Sequence, residues 1–332
     1  MNIPIKIAGI GFKVPETVIT NDDLTKILDT SDEWIKTRTG IEQRHVLSGN
    51  ETAVEMGIEA GKKALEKSKI NAEEIDYIIA AASFGTHIYP STACEIQRAI
   101  GAKNAACFDI TAACSGLIYG MGIARGFIKS GMAKNVLIVA TDAVSRCVDW
   151  TDRASCVLFG DGAGSVMLTV SDDDQDDIVA IDLKAEGHLG HFIQMATPGK
   201  NCPLVEPNNE PDIFVHMDGK EVYKYVVTKL PGYIEECVEK SGLKMSEIDY
   251  LVPHQANLRI IEALEKRLEF NPENVIANIQ NYANTSAASI PIALVEAIES
   301  GKMKLPCSAI LTGFGAGMTV GTTVVRLREG VA

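Results

Sequence analysis

No apolar run in the 332 residues approaches the roughly 20 needed to cross a bilayer, which excludes a membrane-spanning helix. The N-terminus, Met1-Asn2-Ile3-Pro4-Ile5-Lys6, shows neither a charged leader nor a cleavage site, so the chain reads as soluble and cytoplasmic. There is no long basic run, and the net charge is −13. Phosphate contacts need clustered cations, which excludes a general nucleic-acid binder and leaves any anionic partner to a local patch. Eight cysteines (94, 107, 114, 147, 156, 202, 237, 307) include no Cys-x-x-Cys and no zinc-finger spacing. His188-x-x-His191 lacks a Cys or acidic cluster to complete it and reads as a loop, so no metal is expected. Gly9-Ile10-Gly11 lacks the third glycine and the following helix of a dinucleotide fingerprint. Gly160 to Gly164 and Gly313 to Gly317 lack the Gly-Lys-Ser/Thr of a phosphate loop. Both read as tight backbone turns that let main chain approach a site or a neighbouring strand.

What the chain has is an internal duplication. Glu66-Lys67-Ser68, followed after five residues by Glu74-Ile75-Asp76-Tyr77, recurs 173 positions later as Glu239-Lys240-Ser241 and Glu247-Ile248-Asp249-Tyr250. Each copy reads as a helix delivering a buried strand. Further on, Ile128-Lys129-Ser130-Gly131 matches Ile298-Glu299-Ser300-Gly301 at an offset of 170. The first offset puts His254 opposite Ala81, and the second puts Cys114 opposite Asn284. At 46% hydrophobic the chain can bury a large core. The acidic run 171–177 separates the copies, giving an expected N-terminal half, 1–170, with a nucleophilic Cys and a C-terminal half, 178–332, with His and Asn.

Apolar strand-like runs alternate with helical patterns. The first half predicts helix 52–67, strand 77–81, helix 91–100, strand 106–110, helix 114–130 and strand 136–140. The second predicts helix 221–240, strand 250–252, helix 257–268, strand 275–277, helix 285–300 and strand 308–311. Such alternation implies an α/β fold of parallel strands with crossover helices, covered on both faces.

Cys114 stands among small residues, Thr111-Ala112-Ala113-Cys114-Ser115-Gly116, at an expected helix start. Unpaired N–H groups and the helix dipole there lower a thiol pKa and favour the nucleophilic thiolate, against a reading as a buried inert Cys. His254 ends a strand, where α/β proteins place their sites, although a lone His is more often structural. Asn284 opens a helix and is equally a capping residue. A thiolate, a neutral imidazole and an amide together suit a decarboxylative condensation, in which the Cys holds an acyl group as a thioester. His Nε2–H and the Asn amide then stabilise an enolate made by loss of CO2. A protease-like Cys-His-Asn arrangement uses the same residue types.

At these motifs the chain resembles the β-ketoacyl-acyl-carrier-protein synthase III family, initiating condensing enzymes of type II fatty-acid synthesis. The likeness runs nearly full length through 30–35, 37–41, the Cys114 segment, Asp152-Arg153, 159–163, the His254 segment, 284–289 and 313–317. It implies a thiolase-like fold of two pseudo-symmetric halves in five αβαβα layers, a homodimer, and a triad of Cys114, His254 and Asn284. It also implies that Trp34 and Arg153 sandwich the adenine of an acyl-CoA substrate, with Thr30 and Arg38 at the nucleotide end. The Cys114 and Ala316 N–H groups would form the oxyanion hole, and Tyr89 would reach into the partner's acyl pocket. The family presents cations to the second substrate, malonyl-acyl carrier protein, and Lys224, Arg259, Lys266 and Arg267 stand at such positions. No cofactor is implied, since the CoA thioester is consumed. Departures are Ala283, where many members have Gly, and Val320 for a frequent Trp; both bear on acyl-pocket size and primer identity. Alternatives on the same fold are a polyketide starter synthase or acyltransferase. A thiolase would need a second Cys base, absent from 313–317, and a silent subunit would have lost Cys114.

Overall fold

The computed structural model describes residues 3–197, 199–207 and 212–332. Met1 and Asn2, where the reading of the N-terminus begins, lie outside the described residues, as do 198 and 208–211 of the second half. The chain starts with β1 (Ile5–Lys13), β2 (Val18–Thr20), α1 (Asn21–Leu24), α2 (Asp32–Thr39), β3 (Gln43–His45), α3 (Ala53–Ser68), β4 (Tyr77–Ala81), α4 (Thr92–Ile100), β5 (Ala106–Ile110), α5 (Gly116–Lys129), β6 (Asn135–Asp142) and β7 (Gly162–Val170). It continues with β8 (Ile178–Ala185), β9 (Ile193–Gln194), β10 (His216–Met217), α6 (Gly219–Ser241), β11 (Tyr250–Pro253), α7 (Leu258–Leu268), α8 (Ile279–Tyr282), α9 (Ser289–Glu299), β12 (Cys307–Gly315) and β13 (Thr319–Leu327).

Helix starts follow from local chemistry. Thr52 and Glu55 close a capping box on α3, Ser91 caps α4, and Asn257 caps α7, each side chain accepting an otherwise unpaired N–H. The repeated Glu-Ile-Asp-Tyr motif does one job twice. Glu74 and Glu247 each accept the backbone N–H three residues before them, while Ile75 and Ile248 are buried. Asp76 and Asp249 then take backbone N–H groups at the start of the neighbouring strand, those of Lys134 and Asn135 in one copy and of Ser308 in the other.

Two large sheets form, in the orders β1-β7-β6-β4-β5 and β11-β12-β13-β8, beside the two-stranded pairings β2–β3 and β9–β10. They are mixed rather than parallel. The β4–β5, β4–β6 and β11–β12 pairs are parallel, as the helical crossovers demand, while β7 and β13 add antiparallel. The strand expected at 275–277 is one bridge, Leu251 to Val275. The buried Gln255 side chain takes the backbone there instead, donating to Ile276 O and accepting from Asn278 N–H. With that bridge the two sheets correspond strand for strand.

Helices α5 and α9 pack between the sheets, α3 and α4 cover the outer face of the first, and α6 with α7 covers the second. This is the five-layer αβαβα arrangement. Gly9 and Gly11 serve it: a Cβ on either would stand 2.2 or 2.5 Å from a carbonyl oxygen of α3, so only glycine lets that helix lie on β1. The two later glycine clusters are mostly strand, and only 316–318, between β12 and β13, form the expected turn. Residues 162–164 begin β7 and 313–315 end β12, although the close approach expected of them is present.

The duplication also corrects one pairing. The 3-10 turns Ala113–Ser115 and Ser286–Ala288 that precede α5 and α9 stand 173 apart, and Ala113 and Ser286 share a left-handed backbone, φ 44° and 54°. Helix α5 has 14 residues and α9 has 11, so the offset drops to 170 only within the helix. Cys114 therefore corresponds to Ala287, not to Asn284.

Candidate active site

Cys114 sits in the 3-10 turn before α5, not in the helix itself. Ser115 Oγ donates to Ala112 O (2.7 Å) and contacts Thr319 Oγ1 (2.9 Å), which itself bonds Ala316 O (2.9 Å). These bonds pin the turn to the β12–β13 connection. A Cβ on Gly315 would stand 2.6 Å from the Cys114 amide nitrogen, and one on Gly313 3.1 Å from its carbonyl oxygen. Glycine thus lets the end of β12 lie against the backbone of Cys114, with Ala316 next in the chain.

The thiol differs from expectation. Burial pushes its pKa up to about 12; the Ser286 side chain opposes the rise, and the buried Asp142 adds to it. The lowering expected of a helix start is not what results, because taking the thiolate out of water dominates. We predict that alkylation of Cys114 by iodoacetamide accelerates about tenfold per pH unit from about pH 7 to about pH 10, since the thiolate fraction rises that way below the pKa. A plateau beginning near neutrality would indicate a preformed thiolate–imidazolium pair instead.

His254 follows β11, its N–H donating to Thr312 O at 2.7 Å. Its ring contacts Ser289 Oγ through Nδ1 at 2.7 Å and meets the Phe314 ring edge-on at 5.3 Å. Burial pushes its pKa down to about 3, so the imidazole is neutral at physiological pH. Among the described residues no hydrogen bond joins Cys114 to His254. Asn284 is fixed by backbone bonds to Leu158 and Gly160, and its Oδ1 accepts from Ser286 N–H at 2.8 Å. That orientation commits the oxygen and leaves the amide protons as donors. The residue does not cap α9, which starts at Ser289, and α8 rather than a strand precedes it. The two 3-10 turns pack on each other, which brings the Cys114 and Asn284 segments together.

Ala283 occupies φ 57°, ψ −157° and is fully buried. Backbone of this kind favours glycine and strains an L-residue by about 1–3 kcal/mol. Ala283→Gly should therefore stabilise the protein by about 1 kcal/mol after the added unfolded-state entropy, read as a raised denaturant midpoint at unchanged slope.

Sequence reasoning missed Asp142, at the end of β6 and 1% exposed. Its Oδ1 accepts from Ser83 and Phe84 N–H, its Oδ2 has no partner among the described residues, and burial raises its pKa to about 6. Ser115, Ser286, Ser289 and Thr319 were missed too. Small polar residues beside a nucleophile leave no periodic signal.

Trp34 and Arg38 lie on α2, and Thr30 just precedes it. The Trp34 ring is stacked by Arg38 at 4.6 Å and by Arg153 at 4.7 Å, while Arg153 donates to Asp29 O. A base held between ring and guanidinium needs two stacking distances of about 3.5 Å, so Arg153 must swing outward to form the expected sandwich. The Thr30 hydroxyl is buried with no partner among the described residues. Asn257 donates to Arg38 O at 3.1 Å, tying the start of α7 to α2.

On α7, Ile260, Ile261, Leu264 and Leu268 are buried, and Leu258 is half-buried against Gly40. Arg259, Lys266 and Arg267 are exposed and in no ion pair among the described residues, although Glu262 and Glu265 lie on the same helix. Lys224, on α6, pairs with Glu221 at 3.8 Å. Tyr89 is 86% exposed beside Ile88 at 74%, in the loop before α4. No described helix is long and apolar enough to cross a membrane, and no three His, Cys, Asp or Glu side chains among the described residues could hold a metal ion.

Comparison with known proteins converges on one family. Residues 108–187 match the family model described as 3-oxoacyl-[acyl-carrier-protein (ACP)] synthase III, and 238–327 match its C-terminal counterpart. A β-ketoacyl-[acyl-carrier-protein] synthase III of Clostridium perfringens is 43% identical over 322 residues, 97% of this chain and 99% of the relative. The crystal structure of 3-oxoacyl-[acyl-carrier-protein] synthase III from Aquifex aeolicus superposes with a TM-score of 0.90 at 46% identity, covering 97% of this chain and 100% of that one. The priming β-ketosynthase of the R1128 polyketide pathway has the same TM-score of 0.90 at only 31% identity, covering 99% and 98%. Identity in the forties over almost the whole length, on a shared fold, means that the chain belongs to the 3-oxoacyl-[acyl-carrier-protein] synthase III family of condensing enzymes.

Proposed function

We propose that the protein condenses a short acyl-CoA, with acetyl-CoA the first candidate, with malonyl-acyl carrier protein to give 3-oxoacyl-acyl carrier protein, the initiating step of fatty-acid synthesis. The Cys114 thiolate attacks the acyl-CoA carbonyl, CoA departs as thiolate and takes up the proton, and the acyl group stays as a thioester. Malonyl-carrier protein then loses CO2, and the pair of the broken C–C bond becomes an enolate. His254 Nε2–H and the Asn284 amide donate to the enolate oxygen. The carbanion attacks the thioester carbonyl, whose oxygen faces the Cys114 and Ala316 N–H groups, and Cys114 leaves as thiolate and takes a proton from solvent, the one proton that the overall condensation consumes. One C–C bond forms as another breaks, so the sequence needs neither redox cofactor nor metal.

The observation that carries this reading is the geometry of His254, buried and bonded through Nδ1 to Ser289 with no hydrogen bond to the thiol among the described residues; its burial favours the neutral ring. A protease-like site needs the imidazole as base to the sulfur; an imidazole that stays neutral instead donates without removing a proton. Loading tests the primer. Incubation with a panel of straight and branched acyl-CoAs, followed by intact-mass analysis, should show one acyl adduct at Cys114, strongest for short chains. Preference for a long or unusual starter would favour the polyketide alternative.

Thr30, Trp34, Arg38 and Arg153 hold the nucleotide end of CoA in this reading. The exposed Tyr89 suits burial by a second copy, giving a homodimer whose partners share acyl pockets. The halves 1–170 and 178–332 are the duplicated units, and the cytoplasm is the expected compartment. Carrier docking falls to Arg259, Lys266 and Arg267, with Lys224 on the adjoining helix α6, because the Asn257–Arg38 bond sets this face beside the CoA-binding helix. Arg259→Glu should raise the KM for malonyl-carrier protein about tenfold at low ionic strength and blunt its salt dependence. Loading from acetyl-CoA should stay near normal. Unchanged carrier kinetics would move the docking site elsewhere.

A further inference from the structure

His254 and Ser289 are both buried, 1% and 2% exposed, and Ser289 Oγ lies 2.7 Å from the imidazole Nδ1. The same oxygen accepts from the Gln255 N–H at 3.2 Å. A serine hydroxyl has one proton and two acceptor sites, and a neutral imidazole has one ring proton. If that proton sat on Nδ1, it would point at Ser289 Oγ, and the hydroxyl proton would be left without an acceptor among the described residues. With the ring proton on Nε2, Ser289 donates to bare Nδ1 and accepts from Gln255 N–H, so the buried hydroxyl is fully paired, and Nε2–H, which is not among the buried unpartnered atoms of the described residues, is left to donate to a bound group.

The duplication makes the same point independently. At the offset of 173, His254 corresponds to Ala81 and Ser289 to Gly116, the first residues of α9 and α5. In the first half that contact is small against small: a Cβ on Gly116 would stand 2.9 Å from the Ala81 Cβ. In the second half both partners carry polar side chains, bonded to each other. We infer that Ser289 is a positioning residue that holds His254 in the tautomer with its proton on Nε2, so that the ring presents a donor and not an acceptor to the enolate. The inference rests on the function proposed above, in which His254 donates to the enolate of malonyl-carrier protein.

The test uses protein labelled with 15N-histidine. Of six histidines, His254 is identified by the signals lost in His254→Ala. The wild-type protein should show a protonated Nε2 and a bare Nδ1; a protonated Nδ1 would overturn the inference without reference to any variant at 289. In Ser289→Ala the tautomer should become mixed, and decarboxylation of malonyl-carrier protein should fall roughly tenfold or more, short of the 10²–10³ for losing a donor outright. Acylation of Cys114 should change little, and Ser289→Thr should restore both the tautomer and decarboxylation. Wild-type tautomer and wild-type decarboxylation in Ser289→Ala would also overturn it. The expected tautomers together with no decarboxylation by any form, wild type included, would uphold the positioning role and reject the proposed function instead.

Discussion

Replacing Cys114 by alanine should abolish covalent loading from acyl-CoA and reduce condensation by roughly 10⁴-fold or more, the scale of losing a nucleophile from a concerted site. The expectation rests on geometry. The left-handed Ala113 and the glycines at the end of β12 hold the 3-10 turn that carries the thiol against the backbone of β12. Little of this supports packing, so the variant should fold and keep its thermal midpoint within a few degrees. An acetyl mass gained by the Cys114→Ala protein would place the nucleophile elsewhere.

His254→Ala and Asn284→Ala should separate the half-reactions. In the proposed mechanism each removes a donor to the enolate, so decarboxylation of malonyl-carrier protein should fall by about two orders of magnitude or more. Loading of Cys114 should remain measurable, because no hydrogen bond ties the thiol to the imidazole and burial already holds His254 neutral. His254 carries the larger risk to stability, since its loss leaves the Ser289 hydroxyl without its partner. The reverse pattern, loading lost and decarboxylation kept, would make His254 the base of the thiol.

The helices and parallel strands were legible because their signals are local. Thr52, Ser91 and Asn257 announce helix starts, and the runs at 77–81 and 106–110 are apolar throughout but for Asp109 and became strands with those bounds. Strands β7, β8 and β13 were not identified, because a strand that pairs only antiparallel needs no crossover helix to flag it. The stretch 275–277 has the composition of a strand, but the Gln255 side chain competes successfully for its backbone. Duplication was visible at the level of motifs, yet a helix shortened by three residues moved the register and misaligned Cys114 with Asn284.

The site divides along the same line. Cys114, His254 and Asn284 stand at junctions whose residue types announce chemistry. Asp142 and Ser289 matter through contacts made across 59 and 35 residues, with Ser83 and His254, which no local pattern encodes. Electrostatics was the least legible part. The helix start predicted a lowered thiol pKa, whereas burial, visible only in the folded chain, raises it. Ala283 stands out in the sequence as a pocket-size departure, but its backbone gives a simpler account: the position suits glycine for φ alone.

The most direct test of the central claim is the mass of the carrier protein after a single turnover. Acetyl-loaded enzyme mixed with malonyl-carrier protein should release one CO2 and convert the malonyl group to a 3-oxobutanoyl group, with Cys114 returned to the free thiol. Transfer of the acetyl group to the carrier without CO2 release or chain extension would contradict the account.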